Sequence, residues 1–179
     1  MSQRPSPLVL WECKPSHPHL LFVYGTLKRG HFNNQNVLRG ADFVTATKIP
    51  ASHGFSMVQS ATIGFPFVAP ATTVDASYGL TPRDIHGEVW AISDTQLDYC
   101  DQLEGVPIMY SREVVSLVEG PCTCFLYVAS PRMLKQVLGG YGYTQISEWP
   151  ATLPGPIDTH HSSSSPSSSS SSKKATNHV

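Results

Sequence analysis

The residues of this chain best suited to chemistry are Glu104 and the loop that follows Tyr24. Leu20 to Tyr24 is an unbroken apolar and aromatic run that stops at Gly25 and reaches a second glycine at Gly30. Such a run reads as a short strand covered on both faces. A strand that ends in a glycine-bounded loop can aim several backbone N–H groups into a cleft, where they would hold an anion or a carboxylate. Glycine at position 25 would admit a backbone geometry, or a close approach, that a Cβ forbids. From spacing alone, a tight turn with no ligand is the simpler reading.

A phosphate loop is the obvious competitor. Gly25 and Gly30 have the spacing of the outer glycines of G-x-x-x-x-G-K-[ST], but His31 and Phe32 stand where Lys and Ser or Thr belong. The charge that pairs with phosphate and the hydroxyl that holds magnesium are both missing, which argues against nucleotide binding.

Glu104 is singled out by helical periodicity. Ser93 followed by Gln96 fits a capping box, so a helix is expected over 94–104, with Gly105 and Pro107 ending it. Leu97, Cys100 and Glu104 fall on one face at i, i+3 and i+7, flanked by Leu103. Asp94, Asp98 and Asp101 fall on another face, expected to be solvated. Glu104 is thus the one acid of the helix on its apolar side. Desolvation there would raise its pKa, as a group that takes and returns protons near neutral pH requires. Periodicity leaves open that Glu104 snorkels to solvent or pairs with Arg112.

These stretches together carry a resemblance. Val23-Tyr24-Gly25-Thr26-Leu27-Lys28-Arg29-Gly30 with Asn33 and Asn34, then Gly64-Phe65-Pro66, Gly87-Glu88-Val89-Trp90, Leu97-Asp98 to Leu103-Glu104-Gly105-Val106-Pro107, and Tyr110-Ser111-Arg112 follow one another over roughly residues 20–128. In this order they resemble the γ-glutamylcyclotransferase-like superfamily, most closely its γ-glutamylamine cyclotransferase branch. The first and fourth blocks are the specific ones. The resemblance implies an α+β fold, a compact β-barrel with flanking helices. It implies an enzyme, without a cofactor, that converts a small-molecule γ-glutamyl compound to 5-oxoproline and a free amine. By position it puts the glutamyl head on Tyr24, Gly25, Thr26 and Leu27 and the general acid/base on Glu104. Tyr110 would set its hydroxyl against the substrate or Glu104, or serve as an ordinary half-buried barrel tyrosine. The segment 69–84 is longer than the family pattern leads one to expect; folded over the cleft, it would alter which amine is accepted.

The reaction explains why so few groups are needed. A γ-glutamyl compound carries its own nucleophile, the α-amine, and its own electrophile, the γ-carbonyl. One carboxyl group between the attacking and leaving nitrogens can serve both, with no metal and no nucleophilic Ser or Cys. Amides of Gly25 to Leu27 would hold the α-carboxylate and fix the folded conformer. An oxyanion donor is expected but not identified by the sequence. Two other classes remain open: a sister enzyme acting on γ-glutamyl α-amino acids or glutathione, and a binding protein of the same fold that has lost activity.

The rest of the chain sets the frame. At 179 residues with 40% hydrophobic content, one domain with a real core is expected. The formal net charge of −1 and the lack of a basic run outside Lys173-Lys174 give no reason to expect nucleic acid or a membrane surface as a partner. No apolar stretch reaches membrane-spanning length, and Leu8-Val9-Leu10-Trp11 among prolines does not read as a signal peptide. Cysteines 13, 100, 122 and 124 show neither zinc nor redox spacing. Cys122 and Cys124 should share a strand face as small core residues, which suggests a reducing compartment and a cytoplasmic protein of unknown oligomeric state.

Residues 1–18 read as a loose arm, 19–150 as the domain, and the serine-rich 151–179 as a disordered tail. Strands are expected near 20–25, 42–48, 54–59, 66–70, 85–92, 111–118 and 122–129, the last two joined by a turn at Glu119-Gly120-Pro121. A second helix should start at Ser130-Pro131 and end at Gly139-Gly140. No histidine pair has helical metal spacing, and His31 reads as a polar residue of the cleft rim. Arg112 is expected to pair with Glu113 or Glu119 across the sheet rather than with a substrate carboxylate.

Overall fold

The long apolar run at Leu20 predicts a strand with neighbours on both sides, and the fold is organised around it. The computed structural model describes residues 14–72, 78–117, 123–140 and 142–150. In chain order they form β1 (His19–Val23), α1 (Phe32–Val37), β2 (Asp42–Ile49), β3 (Phe55–Ser60), β4 (Pro66–Pro70), β5 (Ile85–Ile92), α2 (Asp94–Glu104), β6 (Tyr110–Ser116), β7 (Thr123–Ala129), α3 (Pro131–Gly140) and β8 (Tyr143–Ile146). β1 is the central strand of a five-stranded mixed sheet ordered β2-β5-β1-β7-β6. It pairs antiparallel with β5 and parallel with β7. β4, β3 and β8 make a second, antiparallel sheet.

The α+β class is as expected, but the β-barrel is not: the described strands pair as two separate sheets that do not close on one another. Composition at the edges gives the reason. β4 begins at Pro66 and ends at Pro70, and proline has no N–H to offer a further strand. At the far edge of the larger sheet, β6 exposes Arg112, Glu113 and Val114; charged residues of this kind suit an unpaired edge.

Alternation along β1 divides the core. Leu21 and Val23 join one buried cluster with Leu97, Cys100, Tyr110, Tyr127 and Met133. Leu20, Phe22 and Tyr24 join another with Met57, Val68, Leu126 and Trp149. Successive strand residues face opposite sides, so β1 serves both.

Three described elements were not expected: α1, β8 and a single 3-10 turn at Ala51–His53. The arm is tied down from Lys14 onward, where the ammonium meets Asp42 of β2 at 2.8 Å. Within the long 69–84 segment, the Arg83 amide donates to Phe55 O at 2.9 Å and Gln145 Nε2 to Thr81 O at 2.9 Å. Its described residues therefore run along the second sheet, and none lines the cavity described below. Residues 73–77, the expected turn at 119–121, Cys13, Cys122 and the 151–179 segment lie outside the described residues. No helix among the described residues is long and apolar enough to cross a membrane.

Candidate active site

The loop after β1 and the end of α2 meet at one cavity of about 270 Å³. Its wall includes Tyr24, Gly25, Thr26, Leu27, Glu104 and Tyr110, all six residues expected at a site, together with Phe65, Pro66, Met109, Tyr127 and Met133.

Local sequence explains how Glu104 comes to be there. Ser93 caps α2: its hydroxyl accepts from the Gln96 amide at 3.2 Å, and the Ser93 amide donates to Gln96 Oε1 at 2.9 Å. Leu97 and Cys100 are buried, and the same face carries Glu104 to the cavity. Gly105 ends the helix at φ 64°, and a Cβ there would lie 2.9 Å from Met109 Cγ. Both the positive φ and the close approach require glycine. The chain then turns onto Ser130, whose hydroxyl donates to Ile108 O at 2.8 Å and whose amide donates to Met109 O at 2.9 Å.

Burial pushes the Glu104 carboxyl up to about 7, because desolvation penalises the charged form. Its charge acts in turn on its neighbours. Burial first, then the Glu104 charge, raises the Tyr110 phenol and takes the Cys100 thiol up to about 12. Arg112 does not pair with Glu104. Its Nε lies 3.2 Å from Asp101 Oδ1, not beside Glu113 as expected across the sheet.

Asp101 departs from expectation as well. Rather than facing solvent like Asp98, it accepts from the Tyr127 hydroxyl at 2.7 Å. The reason is that Tyr127 reaches this flank of α2 from β7, a partner the helical period cannot show. Tyr127 and Met133 were not anticipated as wall residues. Their alternation and period mark them as core, and the cavity opens into that core.

The loop is held from behind. Asn33 Nδ2 donates to Thr26 Oγ1 at 2.9 Å and Asn34 Nδ2 to Leu27 O at 2.7 Å, which explains the two asparagines of α1. The Lys28 amide closes a turn onto Gly25 O at 2.9 Å. Among the described residues, no acceptor engages the amides of Gly25, Thr26 or Leu27. Gly25 itself is not in a left-handed conformation, and an added Cβ would stand 3.4 Å from the Pro66 ring, an ordinary contact. Its lack of a side chain keeps the cavity open rather than relieving strain.

Tyr24 offers the cavity its ring and backbone. Its hydroxyl donates to Tyr127 O at 2.9 Å. Tyr110 is different: it is 5% exposed and its hydroxyl has no hydrogen-bond partner among the described residues. A buried unpaired hydroxyl on a cavity wall is costly unless a ligand completes it.

His31 is not at the rim. It is buried against Trp149, with Nε2 2.9 Å from Pro150 O. Lys28 is buried beside it and donates to Trp149 O at 2.8 Å. These partners lie some 120 positions away in sequence, beyond the reach of local pattern.

The chain is similar to known proteins. A family model described as "Gamma-glutamyl cyclotransferase, AIG2-like" matches residues 21–150. A relative named gamma-glutamylaminecyclotransferase A, from Danio rerio, is 33% identical over 103 residues, 54% of this chain and 57% of the relative. Gamma-glutamylaminecyclotransferase from Bos taurus is 31% identical over 117 residues, 62% of this chain and 65% of the relative. The chain thus spans less than two thirds of either relative. The crystal structure of an AIG2-like protein from Mus musculus superposes with a TM-score of 0.52 at 23% identity, over 76% of this chain and 90% of that one; at this identity the likeness speaks for the fold. With the family model matched over well over half its length, the chain belongs to the gamma-glutamyl cyclotransferase, AIG2-like family.

Proposed function

We propose that this protein is a γ-glutamylamine cyclotransferase that releases 5-oxoproline and a free amine, with Glu104 as its general acid/base. The observation that carries the proposal is the position of Glu104: a carboxyl group raised to about 7 on the wall of the cavity that the Tyr24–Leu27 loop also lines. The names of the Danio rerio and Bos taurus relatives support the amine branch.

In this reading the amides of Gly25 to Leu27, which no acceptor engages among the described residues, receive the α-carboxylate. The α-ammonium gives a proton to ionised Glu104, and the freed nitrogen attacks the γ-carbonyl carbon. The lactam C–N bond forms and the carbonyl oxygen takes the negative charge. Tyr110, whose buried hydroxyl has no partner among the described residues, is the donor for that oxygen. As the oxyanion collapses, Glu104 passes its proton to the leaving nitrogen and the original C–N bond breaks. The ring nitrogen sheds its remaining extra proton through the same carboxylate to the departing amine. Holding the nucleophile against its target contributes on the order of 7–11 kcal/mol in well-oriented cases, and positioned proton transfer roughly 10²–10⁴-fold.

The reading places the reaction in the cytosol, supported by the buried thiol of Cys100. The test is 5-oxoproline formation from γ-glutamyl-ε-lysine, γ-glutamyl-alanine and glutathione. Turnover of the first, with little of the others, is expected. Preference for the α-amino acid or glutathione would move the protein to the sister activity; turnover of none would leave a binding protein.

A further inference from the structure

Three large apolar side chains of the cavity wall are left open to solvent: Phe65 is 41% exposed, Leu103 42% and Met109 40%. They belong to three separate elements, the turn before β4, the last turn of α2 and the turn before β6. The deeper wall residues Val23, Leu27 and Tyr127 are buried. Exposed apolar groups that continue the wall of a cavity mark a surface completed by a ligand.

We propose that Phe65, Leu103 and Met109 form the subsite for the leaving amine, and that the preferred amine carries an apolar alkyl or arylalkyl group with no charge next to the scissile nitrogen. This deepens the cyclotransferase reading and rests on it. The glutamyl head needs donors, and these lie on the Gly25–Leu27 loop. The leaving nitrogen then faces the other side of Glu104, where Leu103 adjoins it and the mouth opens. Glu104 is the only Asp, Glu, Lys, Arg or His on the wall among the described residues. A carboxylate α to the leaving nitrogen, as in a γ-glutamyl amino acid or glutathione, would lose water there, gain no cation and face ionised Glu104. Methylenes in the same place would cover the three side chains.

Two observations belong to the test. The first is a γ-glutamyl alkylamide series from methyl to hexyl, with γ-glutamyl-phenethylamide and γ-glutamyl-alanine, read as 5-oxoproline. We expect kcat/KM to rise about two- to fourfold per methylene until the chain outruns the rim, with γ-glutamyl-alanine at or below the methylamide. The second is the hexyl-to-methyl ratio of kcat/KM in Phe65→Ser, Leu103→Ser and Met109→Ser. This ratio does not depend on the fraction of enzyme folded, and at least two of the three variants should lower it several-fold. A flat series, a preference for γ-glutamyl-alanine, or ratios unchanged in all three variants overturns the subsite while 5-oxoproline formation upholds the cyclotransferase reading. Absence of 5-oxoproline from every compound overturns both.

Discussion

The Tyr127 hydroxyl donates to Asp101 Oδ1 at 2.7 Å, three residues before Glu104 on the same helix. Arg112 Nε shares that oxygen at 3.2 Å. The pair ties the second half of α2 to β7 and β6, so it sets where the end of the helix, and with it Glu104, stands. Asp101→Ala is expected to cost about 1–3 kcal/mol, since it strands a partly buried hydroxyl, and to lower kcat/KM about tenfold by loosening a reacting group. Asp98→Asn, on the exposed face, should change kcat/KM less than about threefold. Equal effects of the two on urea midpoint and kcat/KM would show that the Tyr127 contact does not position Glu104.

Gly25→Ala separates the two uses of a glycine. Because its Cβ would only touch Pro66, at 3.4 Å, and Gly25 has no positive φ, the unfolding free energy should stay within about 0.5 kcal/mol of the original. The methyl group would still narrow the space beside the loop amides. Binding of 5-oxoproline, which keeps the carboxylate, should weaken at least about tenfold by titration calorimetry. Unchanged binding would place the carboxylate elsewhere in the cavity.

Lys28 and His31 grip adjacent carbonyls, those of Trp149 and Pro150, from the end of the substrate loop. Lys28→Met keeps the apolar stem and removes the donor, leaving the Trp149 carbonyl unpaired at a cost of about 1–3 kcal/mol. A lower urea midpoint is expected, with weaker 5-oxoproline binding as the loop loosens. A neutral result on both would mean that the contacts of Asn33, Asn34 and the Arg29–Glu88 pair hold the loop without Lys28.

Much of this was legible locally. The box Ser93–Gln96, Pro131 at the start of α3 and the run at Leu20 each state their element within a few residues. The apolar face of α2 marked Glu104 without any tertiary knowledge. What escaped depends on distant partners. α1, with the sequence FNNQNV, has no apolar period and buries no residue; its use is to lend Asn33 and Asn34 to the loop. β8 has only four residues and is strand-like because β3 receives it. Tyr127 beside Asp101, Trp149 beside Lys28 and Pro150 beside His31 lie 26, 121 and 119 positions away, and local periodicity holds neither half of such a contact.

Glu104 should make the protein less stable as pH rises. Its carboxyl is raised from the ordinary 4.5 to about 7 in the folded state, so between those values the native protein binds more protons than the unfolded chain. Stability conferred by the neutral form is present at low pH and is lost as pH rises through about 7. Glu104→Gln removes the titration. The variant should match the original near pH 4 and exceed it near pH 8 by on the order of 1–3 kcal/mol. A variant that is less stable at pH 8 would mean that ionised Glu104 is stabilised by its surroundings.

The most direct test is single-substrate kinetics of Glu104→Gln on a γ-glutamyl alkylamide, with 5-oxoproline and amine both quantified. The original protein should release the two in equal amounts, with kcat/KM rising through an apparent pKa near 7, the value of Glu104. Glu104→Gln should fold, still bind 5-oxoproline, and turn over at least about 10²-fold more slowly with that pH limb gone. Turnover equal to the original, with the same pH profile, would contradict Glu104 as the proton shuttle and with it the proposed mechanism.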